Sequence, residues 1–544
     1  MAGLLVNGDL EAARGSLSQP IDGLLNTNTA PSLDGQIDSM RRCLFNSKRE
    51  ALTIEAEIQR TKQYLEQLEV KRQGIHDYIV KQTTVLNPVR RIPSEVLSQI
   101  FREYNTAPTV WYGNQDFYDS LTTRSMQWVL SHVCLQWRTV AFSLSSLWSQ
   151  IHVALPSGFD GGAMLLGVHL QRSRSDPLSV FIKGQFAPVK LYSGGWKQKL
   201  KRWHPIITTL LQHAYRWQKL QLCLRIDHIQ EAFSYVRPLM PSLHSLIIRH
   251  TQGSQTSERA IADPSGSWAL DVFRSARNLH FVKLEDIYLP HRVLLPWDSL
   301  VHLYIFVAGS SWKIVDLLNM LVSAARLQCL ALRYHFIHEP DDTILPFITL
   351  PCLHTLIMCW FTQNTGDEDI SRGGNQLLDH ILVHRLRTFQ HVRSVDLESI
   401  CSMHERSGRC PIQCLSLTVS VVDDDFLRLL DQFRQTLTVL RLRMENRNIN
   451  GTLITSLTYR MDSEAQSLPR LRELYLTGGM EFDAVSFVAM VESRMRPRVG
   501  GGGVSRFSRI TLNCMDLEAP ENLEAFDRFG EDECFKGMEW SFKL

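Results

Sequence analysis

The sequence has no stretch approaching the roughly 18 uninterrupted apolar residues that a membrane-spanning helix needs, which excludes an integral helical membrane protein. Its opening residues, Met1 to Ala13, lack a basic segment followed by a long apolar one, so no secretory signal is read and the chain is expected to be intracellular. Charge of one sign is also missing: 58 basic residues stand against 56 acidic ones, a net charge of +2. That removes the strongest case for a nucleic-acid or anionic-membrane partner and leaves proteins as the expected ones. There is no paired-cysteine framework. The eleven cysteines are odd in number and scattered, mostly inside apolar runs such as Leu222-Cys223-Leu224, as expected of small core residues in an intracellular protein.

The motifs of catalysis are equally scarce. Gly500 to Gly503 has no following Lys-Ser or Lys-Thr and so is not a phosphate-cradling loop, and no serine elbow, paired-histidine metal motif or dinucleotide fingerprint occurs. Cys401, His404, Cys410 and Cys414 supply donors that zinc accepts, but their spacing fits no zinc module, and Cys414 sits in an apolar run. Asp367 to Asp369 and Asp423 to Asp425 lack calcium-loop spacing and read as turns and helix starts. The basic run Lys197 to Arg202, between Trp196 and Trp203, is short and reads as a solvated helix face. No enzyme, cofactor or metal is expected.

With 44% apolar residues over 544 positions, there is material for a large core, and the length suggests several units or one repeat array. Residues 1–33 are rich in Gly, Ser, Asn, Thr and Pro without periodicity and read as a disordered leader. Residues 34–85 read as one helix with a heptad seam. Ile37, Leu44, Ala51, Ile58, Leu65, Arg72 and Ile79 fall at a, and Met40, Ser47, Ile54, Thr61, Leu68, Ile75 and Gln82 at d. Charged residues fill the remaining positions, which fits either self-association through residues 37–82 or one long helix folded back on its own chain. Asn87 and Pro88 end it.

Residues 86–152 read as a compact three-helix unit. Pro93 and Glu95 suit a helix start, followed by Val96, Leu97, Ile100, Phe101 and Tyr104 at helical spacing. A polar and aromatic stretch from Asn105 to Thr123, carrying Trp111, Tyr112, Phe117 and Tyr118, precedes a second helix with Trp128, Val129, Val133, Cys134, Trp137 and Val140. Ser145 or Ser146 then caps a short turn bearing Leu147 and Trp148.

From residue 153 to 544, short segments recur in which an apolar residue, two others and a second apolar residue precede alternation. They include Leu243 to Ile248, Leu300 to Ile305, Leu327 to Leu332 and Leu353 to Met358, with later copies starting at Val392, Ile412, Leu437, Leu471 and Phe507. Helical stretches such as Trp312 to Ala325 and Phe426 to Gln435 lie between them. The spacing suits an irregular leucine-rich α/β solenoid or an ordinary α/β domain that imitates repeats, with Thr251 to Trp268 and Gly500 to Gly503 as loops.

Three separated runs carry a family likeness: Pro88 to Phe101, Leu130 to Arg138 and Leu144 to Trp148. Together they resemble the F-box, and the heptad helix before and leucine-rich region after resemble a fungal group of F-box-like proteins. The likeness implies a mixed fold, with a heptad helix and three-helix box followed by a leucine-rich α/β solenoid. It also implies a substrate-receptor subunit of a cullin-RING ubiquitin ligase that binds a Skp-type adaptor through the box and a protein target through the leucine-rich region. The alternative is a leucine-rich scaffold without ligase function. By the same likeness, adaptor contact and box packing fall to Ile92, Pro93, Glu95, Val96, Leu97, Ile100, Phe101, Val133, Cys134, Trp137, Arg138, Leu147 and Trp148. Two departures stand out: Ile92 where the family more often has leucine, and the long stretch from Asn105 to Thr123.

Overall fold

The computed structural model describes residues 23–27, 34–106, 119–155, 161–184, 205–234, 238–251, 269–287, 290–337, 343–359, 375–392, 396–460, 468–496, 504–513, 525–526 and 535–543. The chain divides into two compact units, Met1–Pro93 and Ser94–Leu544.

The first unit is dominated by one helix, α1 (Asp34–Leu86), as the proline-free heptad stretch predicts. It stops where Pro88 disfavours helical backbone in the residue before it. Asn87 then accepts the Val89 N–H at 3.0 Å and opens a single 3-10 turn, Pro88–Arg91.

The second unit begins with four short helices: α2 (Ser94–Thr106), α3 (Met126–Val133), α4 (Leu135–Ser143) and α5 (Ser145–Trp148). The expected three-helix box is therefore corrected. What reads as one helix from Trp128 to Val140 is broken at Cys134, whose backbone is extended (φ −161°, ψ 175°). The expected serine cap is absent too. Leu144 is the capping residue of α5, and the Ser145 hydroxyl instead donates to Asp176 at 2.6 Å. A periodic apolar pattern survives such a break, because α4 resumes helical spacing at once.

Beyond α5 the chain builds one parallel sheet of fourteen strands, with helices between them. They are β1 (Gln150–Leu155), β2 (Leu178–Gly184), β3 (Trp217–Leu224), β4 (Ser245–His250), β5 (Phe281–Glu285), β6 (His302–Lys313), β7 (Cys329–Ile337), β9 (Thr355–Cys359), β11 (Thr388–Val392), β12 (Cys414–Val419), β13 (Val439–Asn450), β14 (Glu473–Glu481), β15 (Arg509–Asn513) and β16 (Glu539–Lys543). They lie side by side in chain order. The remaining two, β8 (Ile348–Thr349) and β10 (Ile381–Leu382), pair separately. The molecule thus has a long N-terminal helix and an α/β unit whose short helices lead straight into the sheet. This corrects the expected fold class, a heptad helix and three-helix box followed by a leucine-rich solenoid.

The period of two along each strand sends alternate residues to one face. The register places those residues in line across the sheet. One column runs from Ile151 and Val180 through Leu220, Leu246, Val282, Leu303, Leu330, Leu356, Phe389, Leu415, Leu440 and Leu474 to Ile510. These side chains are buried. The neighbouring column is apolar from Val153 to Leu512 except at His391, which is itself buried. One repeat position also needs correction. The copy expected to start at Val392 is strand β11, which ends there, and its anchors are Leu386 and Phe389. A phenylalanine where other copies have leucine disguises the pattern. Similarly, Trp312 belongs to β6, and the helix expected from it spans Ile314–Leu321.

Phe389 lies in mid-column with no exposed surface. Phe389→Ala is expected to lower unfolding free energy by about 3–5 kcal/mol, the usual cost of emptying a buried aromatic site. Urea denaturation monitored by circular dichroism measures it.

Candidate functional site

The helices α2 to α5 combine a fixed inner layer with an unpaired outer one. Leu97 and Phe101 of α2 are buried, and the Phe101 ring meets Trp137 of α4 edge-on at 5.2 Å. Leu147 and Trp148 are buried under α4, with the Trp148 indole donating to the Ala141 carbonyl at 2.7 Å. The Arg138 guanidinium donates to the Ser131 carbonyl at 2.9 Å, tying α4 back to α3 across the Cys134 break. Six of the residues singled out from sequence thus assemble this layer. They hold helices in place.

The layer is anchored to the sheet by α6 (Gly162–Arg172). The Arg172 guanidinium lies 3.6 Å from the ring centre of Phe142, 4.4 Å from that of Trp148 and 5.1 Å from that of Trp128. A cation over several ring faces is held by their quadrupoles, more strongly where water is excluded. His169, one turn earlier, stacks edge-on against Trp148 at 5.0 Å and approaches the Trp148 carbonyl at 3.4 Å. Burial pushes His169 and His152 down to about 4. For His169 this outweighs backbone hydrogen bonds at Trp148 and Ser120 that favour protonation, while the Arg172 charge adds to the lowering. Arg172, His169 and His152 were missed in the sequence, where nothing local links them to Trp148.

The outer layer carries the exposed apolar residues. Val96, Ile100 and Tyr104 follow one another at four-residue spacing on α2, so they share a face. They are 50%, 46% and 65% exposed. Val129 and Val133 repeat the arrangement on α3, and Leu135 at the start of α4 is 75% exposed. Glu95 is exposed, Cys134 half-buried, and in the first unit Pro93 is exposed and Ile92 half-buried. The aromatic residues Trp111, Tyr112, Phe117 and Tyr118 lie outside the described residues, as do Lys197 to Arg202, Asp367 to Asp369 and Gly500 to Gly503.

A second surface is the face of the sheet opposite the apolar columns. Parallel sheets are usually covered on both faces and apolar on both. Here the second face is largely polar. Glu285 bonds both Arg249 and Lys283, the latter at 2.5 Å. Burial raises the Glu285 carboxyl, but these two cations outweigh it and hold the group below its ordinary value. Nearby, the Lys283 ammonium lies 5.3 Å from the centre of Phe306, and further along the sheet Arg441 lies 4.5 Å from that of Tyr475.

The zinc candidates separate. His404 and Cys410 are buried together, with Nδ1 to Sγ at 3.4 Å, and the His404 ring packs edge-on against Phe433 at 4.7 Å. Cys414 belongs to a strand whose neighbours Leu415 and Leu417 point into the core, so it faces the other way. Burial pushes the Cys410 thiol up to about 11, which leaves it a neutral thiol rather than a metal-binding thiolate. Among the described residues no group of three or more potential metal ligands occurs, and nine cysteines are free. Asp423 accepts the Phe426 N–H at 2.9 Å and caps the helix Asp424–Gln432.

Comparison with protein-family models and with curated proteins finds no match for this chain.

Two outcomes are expected from the anchor. Arg172→Ala removes both the cation and the packing of its stem and should destabilise the second unit by about 1–3 kcal/mol, measured by thermal melting. The buried histidines set a pH dependence. Their folded values lie below the ordinary 6.5, so they favour the fold fully above pH 6.5 and progressively less as the pH falls toward 4. Melting temperatures over that window should fall, and fall less steeply in His152→Gln/His169→Gln.

Proposed function

We infer that this chain is a non-catalytic, intracellular substrate receptor of a cullin-RING ubiquitin ligase, with α2 to α4 as the surface that meets a Skp-type adaptor. The observation that carries this reading is the exposed apolar set Val96, Ile100, Val129, Val133 and Leu135. Exposed large apolar side chains on adjoining short helices mark protein contact sites more often than free surface. All of them but Val129, which stands one residue before the second run, fall within the runs whose sequence resembles the F-box. Of the residues that the likeness assigns, the exposed Val96, Ile100 and Val133 support a contact role, whereas Leu97, Phe101, Leu147 and Trp148 are buried in the packing.

The polar face of the sheet suits the second role. Its side chains are presented by strands that their neighbours hold in register, so a target meets a preorganised surface at little ordering cost. No helix of the described residues is long and apolar enough to cross a membrane, in keeping with an intracellular assignment.

Val96→Asp/Ile100→Asp tests the reading directly, because both residues are about half exposed and surface substitutions usually change stability little. The variant should melt within a few degrees of the parent and lose co-purification with a Skp-type adaptor by at least about tenfold, as expected when a central apolar contact becomes charged. Adaptor binding that survives in the folded variant sinks the assignment. A parent that binds no adaptor but holds a partner on the sheet face would instead be a scaffold.

A further inference from the structure

Ile37, Met40 and Ser47 near the start of helix α1 are half-buried, but from residue 51 onward no described residue of its unit covers the seam. Every residue from 51 to 86 is exposed, including Ile54, Ile58, Leu65, Leu68, Ile75 and Ile79 at a and d positions. At 53 residues the helix is about 80 Å long at 1.5 Å per residue. A shallow groove at its middle is lined by Ile54, Glu57, Ile58, Thr61, Lys62 and Leu65. Apolar residues repeated on this period are covered in water by a second helix of the same period.

The flanking charges determine which helix, and in which direction. In a heptad helix the e and g residues beside the seam select partner and orientation. A parallel pairing with a second copy would set Arg72, at an a position, against its own equivalent, and Glu50 (g) against Glu55 (e). Two cations facing each other inside a seam repel at close range with little water to screen them.

An antiparallel pairing removes both conflicts. With Ile58 opposite Thr61 of the second copy, a and d residues face one another as Leu44 with Ile75, Ala51 with Leu68 and Ile54 with Leu65. Arg72 then lies opposite Ser47, a small polar residue. At the flanks, Lys48 meets Glu69, Glu50 meets Lys71 and Glu55 meets Lys62, each twice by symmetry, and no like charges meet. Sliding by one heptad in one direction sets Lys62 against Lys62 and Glu55 against Glu69. Sliding in the other sets Glu55 against Glu55 and Lys48 against Lys62. Such exposed pairs contribute little stability each, but together they single out one register.

We propose that residues 37–82 form an antiparallel two-helix coiled coil with a second copy of this chain, the two-fold axis passing between Gln59 and Arg60. The arrangement sends the C-terminal ends of the two helices to opposite ends of the coil.

Light scattering of the full-length protein should give twice the 62.4 kDa chain mass. In a Cys43→Ser background, Leu44→Cys and Ile75→Cys chains should not cross-link to themselves under mild oxidation, while the two co-expressed should form a disulfide-linked dimer. Lys48→Glu should weaken the dimer about tenfold, and adding Glu69→Lys in the same chain should restore it. These residues lie too far apart on one helix to meet except between copies. A monomer with its helix intact overturns the proposal. So does a Leu44→Cys chain that cross-links to itself, a co-expressed pair that does not cross-link, or a charge swap that fails to restore the dimer.

Discussion

Each strand of the fourteen-stranded sheet pairs with the next in chain order, with only β8 and β10 set aside, and the shared register of those ladders is the constraint on which the rest of the second unit depends. Because neighbours match residue for residue through the columns, with register shifts only toward the strand ends in the β2–β3, β6–β7 and β13–β14 ladders, the apolar positions fall in line from Ile151 to Ile510. A slip of one residue anywhere would turn a whole strand's leucines to the other face. The helices between strands pack on the columns this register creates, and the opposite face is left to polar residues.

The first strand has only one sequence neighbour to lean on, and α2 to α6 meet this need. Trp148 joins the two regions. It is wholly buried, bonds Ala141, packs on Trp128 and His169, and sits under the Arg172 guanidinium. With Trp148 locked, α5 continues directly into β1, and α2 and α3 are free to turn Val96, Ile100, Val129 and Val133 outward. Burial of the inner layer and exposure of the outer one are two results of the same packing. A helix whose Leu97 and Phe101 point inward must point Val96 and Ile100 elsewhere.

Much of the local structure was legible in the chain. The heptad stretch gave a helix that ends at the expected asparagine and proline, and the leucine spacing gave strands at β4, β6, β7 and β9. The misreadings have local causes as well. Cys134 is extended in the middle of an unbroken helical pattern, because a change in backbone direction there leaves the spacing of Val133 and Trp137 untouched. Phe389 in place of leucine hides the start of strand β11, and Ser145, a residue type suited to a cap, instead donates its hydroxyl to Asp176, 31 positions on.

The sequence by itself determined which residues are apolar, at what period and between which breakers, and hence where helices and strands form. It also carried the charge order along α1, since i to i+7 spacing is a property of the helix alone. Only the tertiary structure decided that the short helices and the strands belong to one unit, that Leu97 is inside while Val96 is outside, and that Arg172 and His169 close over Trp148. Those outcomes depend on contacts between residues far apart in the chain, and burial, unlike periodicity, is set by what the rest of the fold brings to each side chain.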